Sequence, residues 1–439
     1  GERGRYRIGL LKIIDSALNV TAPGMEYTIH VSDLAFRGGR EIRAGTVSFQ
    51  DVKLTIVRNA DKTWRLLSAG GEELAVLGGG EKREKGGLGR ALPSLALSID
   101  RVAVAAGSTV TVIQKAPGDE YETVNRIDRA FITDLHSEKP DNASSFVYET
   151  TSSNHEKLSL EGNLRLFGDK PEITVKGKLE GLELLPFNSF TRRAAGFFID
   201  SGQADGDLEL TVASGEIEGF VDIRVNLLTV STADKELLRE FEKTLPKQIK
   251  LSTAVRLMSD KQGVIRIRIP ISGDPSTPTF DLDLDHRLAV PPALGDLVQP
   301  ALLVAAPGAV ATIHAHSLPR PPVQEVPIAP HAADLAEKGE RALSEFASRL
   351  SGGKYSSTLT LVCGYAVEGE MHSLTAQGEK GDRRRIVEEI AGRRAREVKD
   401  RLVTEHGIEA RRLILCRPEL NFRDRSTVLT DPFGDEDTR

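Results

Sequence analysis

Three aspartates of this 439-residue chain have a spacing that suggests metal chemistry. Asp281, Asp283 and Asp285 match the first, third and fifth positions of a calcium-binding loop. That loop also needs Gly at its sixth position and Glu at its twelfth, where this chain has His286 and Pro292. We therefore predict that the three aspartates lie on the solvent face of a strand.

Histidine and glycine clusters are the next candidates for a site. His314, His316 and His331 could bind a metal ion, but no Cys, Asp or Glu completes the set at a usual spacing. The glycine runs 78–80 and 86–89 lack the Lys-Ser/Thr or the full glycine spacing of loops that bind phosphate. The sequence therefore predicts neither a metal site nor a cofactor site.

Catalysis and nucleic-acid binding are both disfavoured. The chain has no nucleophile elbow, no supported Cys/His pair and no zinc motif, so we predict that it is not an enzyme. A net charge of −6 creates no overall positive field to attract nucleic acid.

The fold class follows from short alternating runs. The chain contains 40 glycines, and turn signals recur about every 8 to 12 residues, as in β-rich proteins. We predict a mainly β protein, with an elongated, curved antiparallel sheet and a few packing helices, followed by a small α/β C-terminal module. One of these helices is predicted after a Thr232 cap and ends at Pro246.

Two aliphatic rows are the candidate binding surface. Successive side chains of a strand point to opposite faces, so each row lies on one side of its strand. The rows consist of Ile265, Ile267, Ile269 and Ile271, and of Val221, Ile223, Val225 and Leu227. Such rows either form an open groove for acyl chains or pack as the core of the protein. Exposure in the folded protein distinguishes these alternatives.

The region around the isoleucine row resembles the AsmA-like envelope proteins of Gram-negative bacteria. The segments that carry the resemblance are LEGLELLPF from Leu179, VRLMSDKQG from Val255 and the run from Gly263 to Leu284. It covers roughly residues 158–290 well. The resemblance implies a periplasmic envelope-biogenesis protein that holds or conducts phospholipid or another acyl lipid along an apolar β-groove between the inner and outer membranes. It also implies an inner-membrane anchor preceding this chain.

The chain divides by pattern into four parts. We predict a β-rich domain at 1–290, an apolar helical segment and Pro-rich linker at 291–330, an α/β module at 331–420 and a tail at 421–439. Within the second part, residues 294–313 are apolar enough for a membrane span. An interfacial or groove-capping helix pair and an ordinary buried helix or hinge remain the alternatives.

The α/β module resembles the OmpA-like peptidoglycan-binding domain. The matching segments are IAGRRAREVKDRL from Ile390 and HGIEARRL from His406, which place Arg394 where the family has its ligand arginine. Val367 and Val387 stand where the family has its aspartate and asparagine. Without the carboxylate, charge-assisted bonds to the peptide ammonium are lost, so peptidoglycan is an unlikely ligand. The alternative function is a non-catalytic envelope scaffold that binds a partner protein or the cell wall through this module.

The two cysteines fall within the same module. Cys363 and Cys416 close two strands that are neighbours in the OmpA-like fold. The resemblance therefore implies that they can form a disulfide in an oxidising periplasm, and two buried free thiols are the alternative.

Overall fold

A computed structural model gives the structure of the chain. It describes residues 10–22, 25–37, 41–58, 64–68, 73–77, 96–116, 119–168, 172–245, 250–260, 262–274, 277–280, 324–328, 337–352, 355, 357–367, 383–421 and 427–430. The predicted apolar segment 294–313, the three aspartates from Asp281 and the three histidines lie outside these residues.

The chain divides into two compact units. The first unit comprises Gly1–Leu179, Gly206–Asp222 and Arg268–Asp281. The second unit comprises Glu180–Asp205, Ile223–Ile267 and Leu282–Arg439. The predicted boundary at 291–330 therefore does not separate the units, because the C-terminal module shares the second unit with earlier parts of the chain.

A large sheet contains sixteen described strands. They are β1 Leu10–Ala22, β2 Met25–Arg37, β3 Glu41–Gln50, β4 Lys53–Arg58, β5 Trp64–Ser68, β6 Glu73–Leu77, β7 Ala96–Val104, β8 Thr109–Ala116, β9 Asp119–His136, β10 Ser144–Ser152, β11 Lys157–Arg165, β12 Glu172–Glu183, β13 Phe197–Ala213, β14 Glu216–Thr232, β15 Val264–Asp274 and β16 Thr277–Phe280. The hydrogen-bonded order is β1-β2-β3-β7-β9-β10-β11-β12-β13-β14-β15-β16, with β4, β5, β6 and β8 off this path.

The predicted mainly β fold class is confirmed, but the sheet is mixed rather than purely antiparallel. Strand β3 pairs with β7 in parallel, and β4 pairs with β8 in parallel. The chain between β3 and β7 contains β4, β5 and β6, and it returns to the sheet in the same direction. Side-chain alternation has a period of two in both kinds of pairing, so the sequence pattern does not distinguish them.

A tight turn joins two of the later strands. Ser214 and Gly215, with φ of 55° and 87°, join β13 to β14 in the left-handed conformation that two-residue hairpin turns require. Strand β15 pairs with β16 antiparallel, and Ile271 pairs with Phe280.

Five α-helices lie within the described residues. They are α1 Asn188–Ala195, α2 Lys235–Thr244, α3 Leu251–Met258, α4 Glu337–Ser351 and α5 Arg383–Thr404. The cap of α2 is Asp234 and not Thr232, because the Asp234 carboxylate accepts hydrogen bonds from the amides of Glu236 and Leu237 at 2.9 and 3.0 Å. None of the described helices is long and apolar enough to cross a membrane.

The C-terminal module has the predicted α/β composition. Its sheet contains β17 Gln324–Glu325, β18 Thr360–Val367, β19 Leu413–Leu415, β20 Glu419–Asn421 and β21 Thr427–Thr430. Strand β18 pairs with β19 and β20 in parallel and with β21 antiparallel. Its core includes Leu343 and Phe346 of α4 together with Val398 and Leu402 of α5.

Two predicted boundaries of this module are wrong. Part of the predicted linker belongs to the module, because β17 pairs with β21, and Val326 and Ile328 are buried in the core. Part of the predicted tail forms β21, which pairs with the central strand β18. Short β-branched and aliphatic runs that pair with a buried strand are ordered by that pairing, even beside proline-rich or charged segments.

Cys363 of β18 and Cys416, which follows β19, form a disulfide bond with their Cα atoms 4.7 Å apart. This confirms the first of the two alternatives for the cysteines. The backbone amide of Cys416 also donates to the carbonyl of Val362 at 3.0 Å, so the bond joins neighbouring backbone segments.

We expect the double substitution Cys363→Ser with Cys416→Ser to lower the free energy of unfolding. The bond spans 53 residues of sequence, and loop-closure entropy for such a span amounts to about 4 kcal/mol. Urea unfolding of the two proteins measures the difference. Alkylation of both cysteines in denatured but unreduced protein would contradict the assignment.

Candidate functional site

The isoleucine row is buried. Ile265, Ile267, Ile269 and Ile271 are 2%, 7%, 2% and 6% exposed. The prediction that these four residues face lipid is therefore wrong, because protein already covers them. Their burial matches the alternative in which the row packs as core.

Helix α3 provides much of that cover in the second unit. Leu251, Val255 and Met258 of α3 and Ile265 and Ile267 of β15 line the same apolar cavity of about 10 Å³. A space of that size is at the lower limit for one water molecule. The helix buries one apolar stripe on the sheet, as an amphipathic helix does.

The second predicted row is partly half-buried and partly buried. Val221 and Ile223 are half-buried, whereas Val225 and Leu227 are buried. Leu227 has a φ of 49°, and this left-handed residue interrupts the alternation of β14. Leu228 and Val230, rather than Leu227, therefore line the α3 cavity with Val225. The lipid-facing prediction is wrong for Val225 and Leu227.

We expect Ile267→Ala to destabilise the protein by about 2–5 kcal/mol, because it leaves a cavity beneath α3. Chemical denaturation monitored by circular dichroism measures this loss. Val175→Ala, at a half-buried position of β12, is the control and should cost less. An equal effect of the two substitutions would contradict the core assignment.

A different apolar surface lies in the first unit, and we call it the apolar face. Its residues occupy corresponding positions on neighbouring strands and are all half-buried. They are Val47 and Phe49 of β3, Val102 and Val104 of β7, Ala130 and Ile132 of β9, Phe146 and Tyr148 of β10, Leu158 and Leu160 of β11, Val175 and Leu179 of β12, Leu208 and Leu210 of β13, and Val221 of β14.

Strand register aligns the first five strands of the apolar face. Val47 pairs with Val102, and Val102 pairs with Ile132. Ile132 pairs with Phe146, and Tyr148 pairs with Leu160. Directly paired residues point to the same face of a sheet, so the apolar side chains from β3 to β11 form one continuous surface.

Two glycines extend the alignment to β14. A Cβ at Gly177 of β12 would lie 2.7 Å from Leu160 Cδ2 and 3.2 Å from Leu208 Cβ. A Cβ at Gly219 of β14 would lie 2.8 Å from Leu210 Cδ2. A side chain at either glycine would therefore lie on the apolar face. Glycine leaves room there for the leucines of the adjacent strands.

The opposite face of the same strands carries charged and polar side chains together with Phe131, Val147 and Phe220. Thr174, Lys176 and Lys178 alternate with the apolar residues of β12 and are exposed. Ion pairs connect charged side chains on this face: Arg129–Glu149, Arg165–Glu172, Lys176–Glu209 and Arg268–Asp222. Such exposed pairs add little stability, but they keep this side of the sheet in water.

No described helix lies in the first unit to cover the apolar face, because α1 to α5 all belong to the second unit. A sheet with one apolar face ordinarily buries that face against another layer. A large contiguous apolar surface that remains partly exposed marks a binding site for an apolar partner. The described residues contain no cluster of His, Cys, Asp or Glu that could hold a metal ion.

A cavity of about 460 Å³ lies among β10 to β13. Its lining includes Phe146, Val175 and Leu210 of the apolar face, and also the charged residues Lys176 and Glu209 of the opposite face. Most of the lining residues lie on the opposite face of the sheet, so this cavity does not by itself mark a ligand site on the apolar face.

Tyr148 reports on the apolar face. Burial raises the pKa of its hydroxyl above the ordinary value of 10.0. An acyl chain on this face would exclude more water from the phenol and raise the pKa of Tyr148 further.

We expect the phenolate absorbance titration of Tyr148, taken as the difference between wild type and Tyr148→Phe, to have its midpoint above pH 10.0. Because the folded state holds this proton more tightly than the unfolded chain, the contribution of Tyr148 to stability falls as pH rises above the ordinary pKa. The free energy of unfolding of Tyr148→Phe should therefore fall less than that of the wild type over the same rise in pH. A midpoint at or below 10.0 would contradict the burial of this side chain.

The predicted wall-binding arginine has a structural role. Arg394 of α5 is 1% exposed, and its Nη1 donates to the carbonyl of Tyr365 at 3.0 Å. The guanidinium is therefore inside the module, where a cell-wall ligand cannot reach it. The side chains of Val367 and Val387 lie outside the described part of the structure.

A buried polar cluster in the second unit was not predicted. Lys399 of α5 forms an ion pair with Glu183 of β12, and both side chains are almost fully buried. Gln203 of β13 donates to Glu183 at 3.2 Å. Burial raises the pKa of Glu183, and the ammonium of Lys399 opposes that rise. Lys and Glu spaced 216 residues apart give no local signal of this pairing.

The chain matches no protein-family model, no curated protein and no solved structure.

Proposed function

We propose that the apolar face of the first unit binds the acyl chains of phospholipid or another lipid, and that the protein works in biogenesis of the bacterial envelope. The observation that carries this proposal is a continuous, half-buried aliphatic surface from β3 to β14 that no described helix of the unit covers. This surface replaces the isoleucine row as the candidate groove.

The chemistry of the apolar face favours hydrocarbon over a polar ligand. Its residues carry no charge, and the hydroxyl groups on this side of β10 are those of Tyr148 and of Thr150, which pairs with Leu158. Removing apolar surface from water stabilises a complex by about 25 cal/mol for each Å². Acyl chains would therefore supply the second layer that the described residues of the first unit do not provide, while a polar headgroup remains in water.

The periplasm is the proposed location. The disulfide between Cys363 and Cys416 supports an oxidising compartment, since such bonds are rare in reducing ones. The resemblance to AsmA-like proteins adds the proposed role of moving lipid between the inner and outer membranes.

Binding of the cell wall through the C-terminal module is the less favoured function. Its ligand would need the guanidinium of Arg394, which is buried and hydrogen-bonded to backbone. The module therefore contributes to the second unit as a structural part.

Mass spectrometry of lipids that co-purify with the protein tests the proposal. We expect the double substitution Leu208→Asn with Leu210→Asn to lower the bound lipid at least about tenfold, because it places amides where hydrocarbon should pack. Glu209→Asn with Thr211→Asn is the matched control on the opposite face of the same strand and should retain lipid. Absence of lipid from the wild type, or equal lipid in both variants, would refute the function.

A further inference from the structure

The cavity among β10 to β13 is lined mainly by side chains of the face opposite the apolar face, and we call it the polar cavity. Each of the four strands contributes two side chains of that opposite face, among them Glu161 and Asn163 of β11, Thr174 of β12 and Thr211 of β13. Its volume of about 460 Å³ is within the range of small-molecule sites. All of its lining residues belong to the first unit.

Strand register brings the polar side chains of the cavity together. Ser145 of β10 pairs with Asn163 of β11. A Cβ at Gly162 would lie 1.8 Å from the carbonyl oxygen of Thr174, so the backbones of β11 and β12 approach closely there. Glu161 and Asn163 precede and follow that glycine, and their side chains therefore lie beside Thr174 on one surface.

The polar cavity has hydrogen-bonding capacity that protein groups do not use. Within the part of the chain that the structure describes, the side chains of Glu161, Asn163, Thr174 and Thr211 make no hydrogen bond or ion pair with other protein groups. A carboxylate only accepts hydrogen bonds, whereas an amide or a hydroxyl both donates and accepts. The cavity therefore offers donors and acceptors to the same ligand.

The charges of the lining favour a neutral ligand. Lys176 Nζ lies 3.4 Å from Glu209 Oε1, so this ammonium and this carboxylate already form an ion pair. An anion would meet the carboxylate of Glu161, and a cation would meet the ammonium of Lys176. A hydrocarbon chain would remove polar groups from water without replacing their hydrogen bonds, which is costly. A neutral molecule rich in hydroxyl groups has neither disadvantage.

We propose that the polar cavity binds a neutral saccharide. The carboxylate of Glu161 accepts hydrogen bonds from sugar hydroxyls, and such charge-assisted bonds are stronger than neutral ones. The amide of Asn163 and the hydroxyls of Thr174 and Thr211 supply donors, while half-buried Val147 contacts the C–H groups of the sugar ring. This site is separate from the apolar face, so the inference goes beyond the proposed binding of lipid and does not depend on it.

Saturation-transfer NMR of the intact chain with maltose, cellobiose and N,N′-diacetylchitobiose tests the inference. We expect at least one of these neutral disaccharides to bind. Glu161→Gln should raise its Kd about tenfold, because the charge-assisted bond is lost, and Thr174→Val should raise it about fivefold. Glu216→Gln is the matched control, since Glu216 is exposed on the same face of the sheet but does not line the cavity. The control variant should bind as the wild type does.

Circular dichroism of each variant verifies that the fold is retained, and Thr174→Val preserves the shape of the side chain it replaces. Weaker binding in Glu161→Gln and Thr174→Val, with unchanged binding in Glu216→Gln, would support the inference. No binding of any of the three disaccharides, or equal binding by all four proteins, would overturn it. Lipid that co-purifies with the wild type would support the function of the apolar face in either case, so the two proposals fail separately.

Discussion

The structure depends on the requirement that the apolar side of a β-sheet be covered. Every strand with alternating side chains presents one face that water solvates poorly, and a single sheet cannot bury that face by itself. In the second unit, α3 lies over Ile265 and Ile267 and closes the space between them. In the first unit, the described residues include no helix, and the side chains from Val47 to Val221 are half-buried, although Ile269 and Ile271 of the same unit are buried. The same sequence pattern therefore has two physical outcomes in one chain.

The difference between covered and half-buried apolar surfaces decides where we propose that lipid binds. A lipid chain can occupy only a surface that protein leaves open, so the better-formed isoleucine row is excluded and the more dispersed apolar face becomes the candidate. Each of its strands contributes only one or two residues, and none of them stands out as strongly as the four isoleucines. The surface exists because register aligns Val102, Ile132 and Phe146 on separate strands, and because Gly177 and Gly219 let neighbouring leucines pack closely.

In the C-terminal module, the resemblance to a known family predicts the fold, whereas side-chain burial shows which residues a ligand could reach. Its helix–strand order agrees with the predicted α/β pattern, and the disulfide joins the two cysteines at neighbouring strands. Arg394, which the resemblance places at a ligand position, is buried and donates to the backbone carbonyl of Tyr365. The buried pair of Lys399 and Glu183 holds α5 against β12, and breaking such a pair by removing one partner costs about 3–5 kcal/mol. The module is thus built to pack within its unit.

The amino-acid sequence by itself determined the mainly β class and helix α2, because these follow from local alternation and a helix cap. The cysteine pair was implied only by the resemblance to the OmpA-like domain. It did not determine helix α3, the strand at Thr427–Thr430, the parallel strand pairings or the left-handed backbone of Leu227. Above all, only the tertiary structure decided which apolar row is covered. Alternation with a period of two is identical for a covered and an open face, and cover comes from segments distant in sequence.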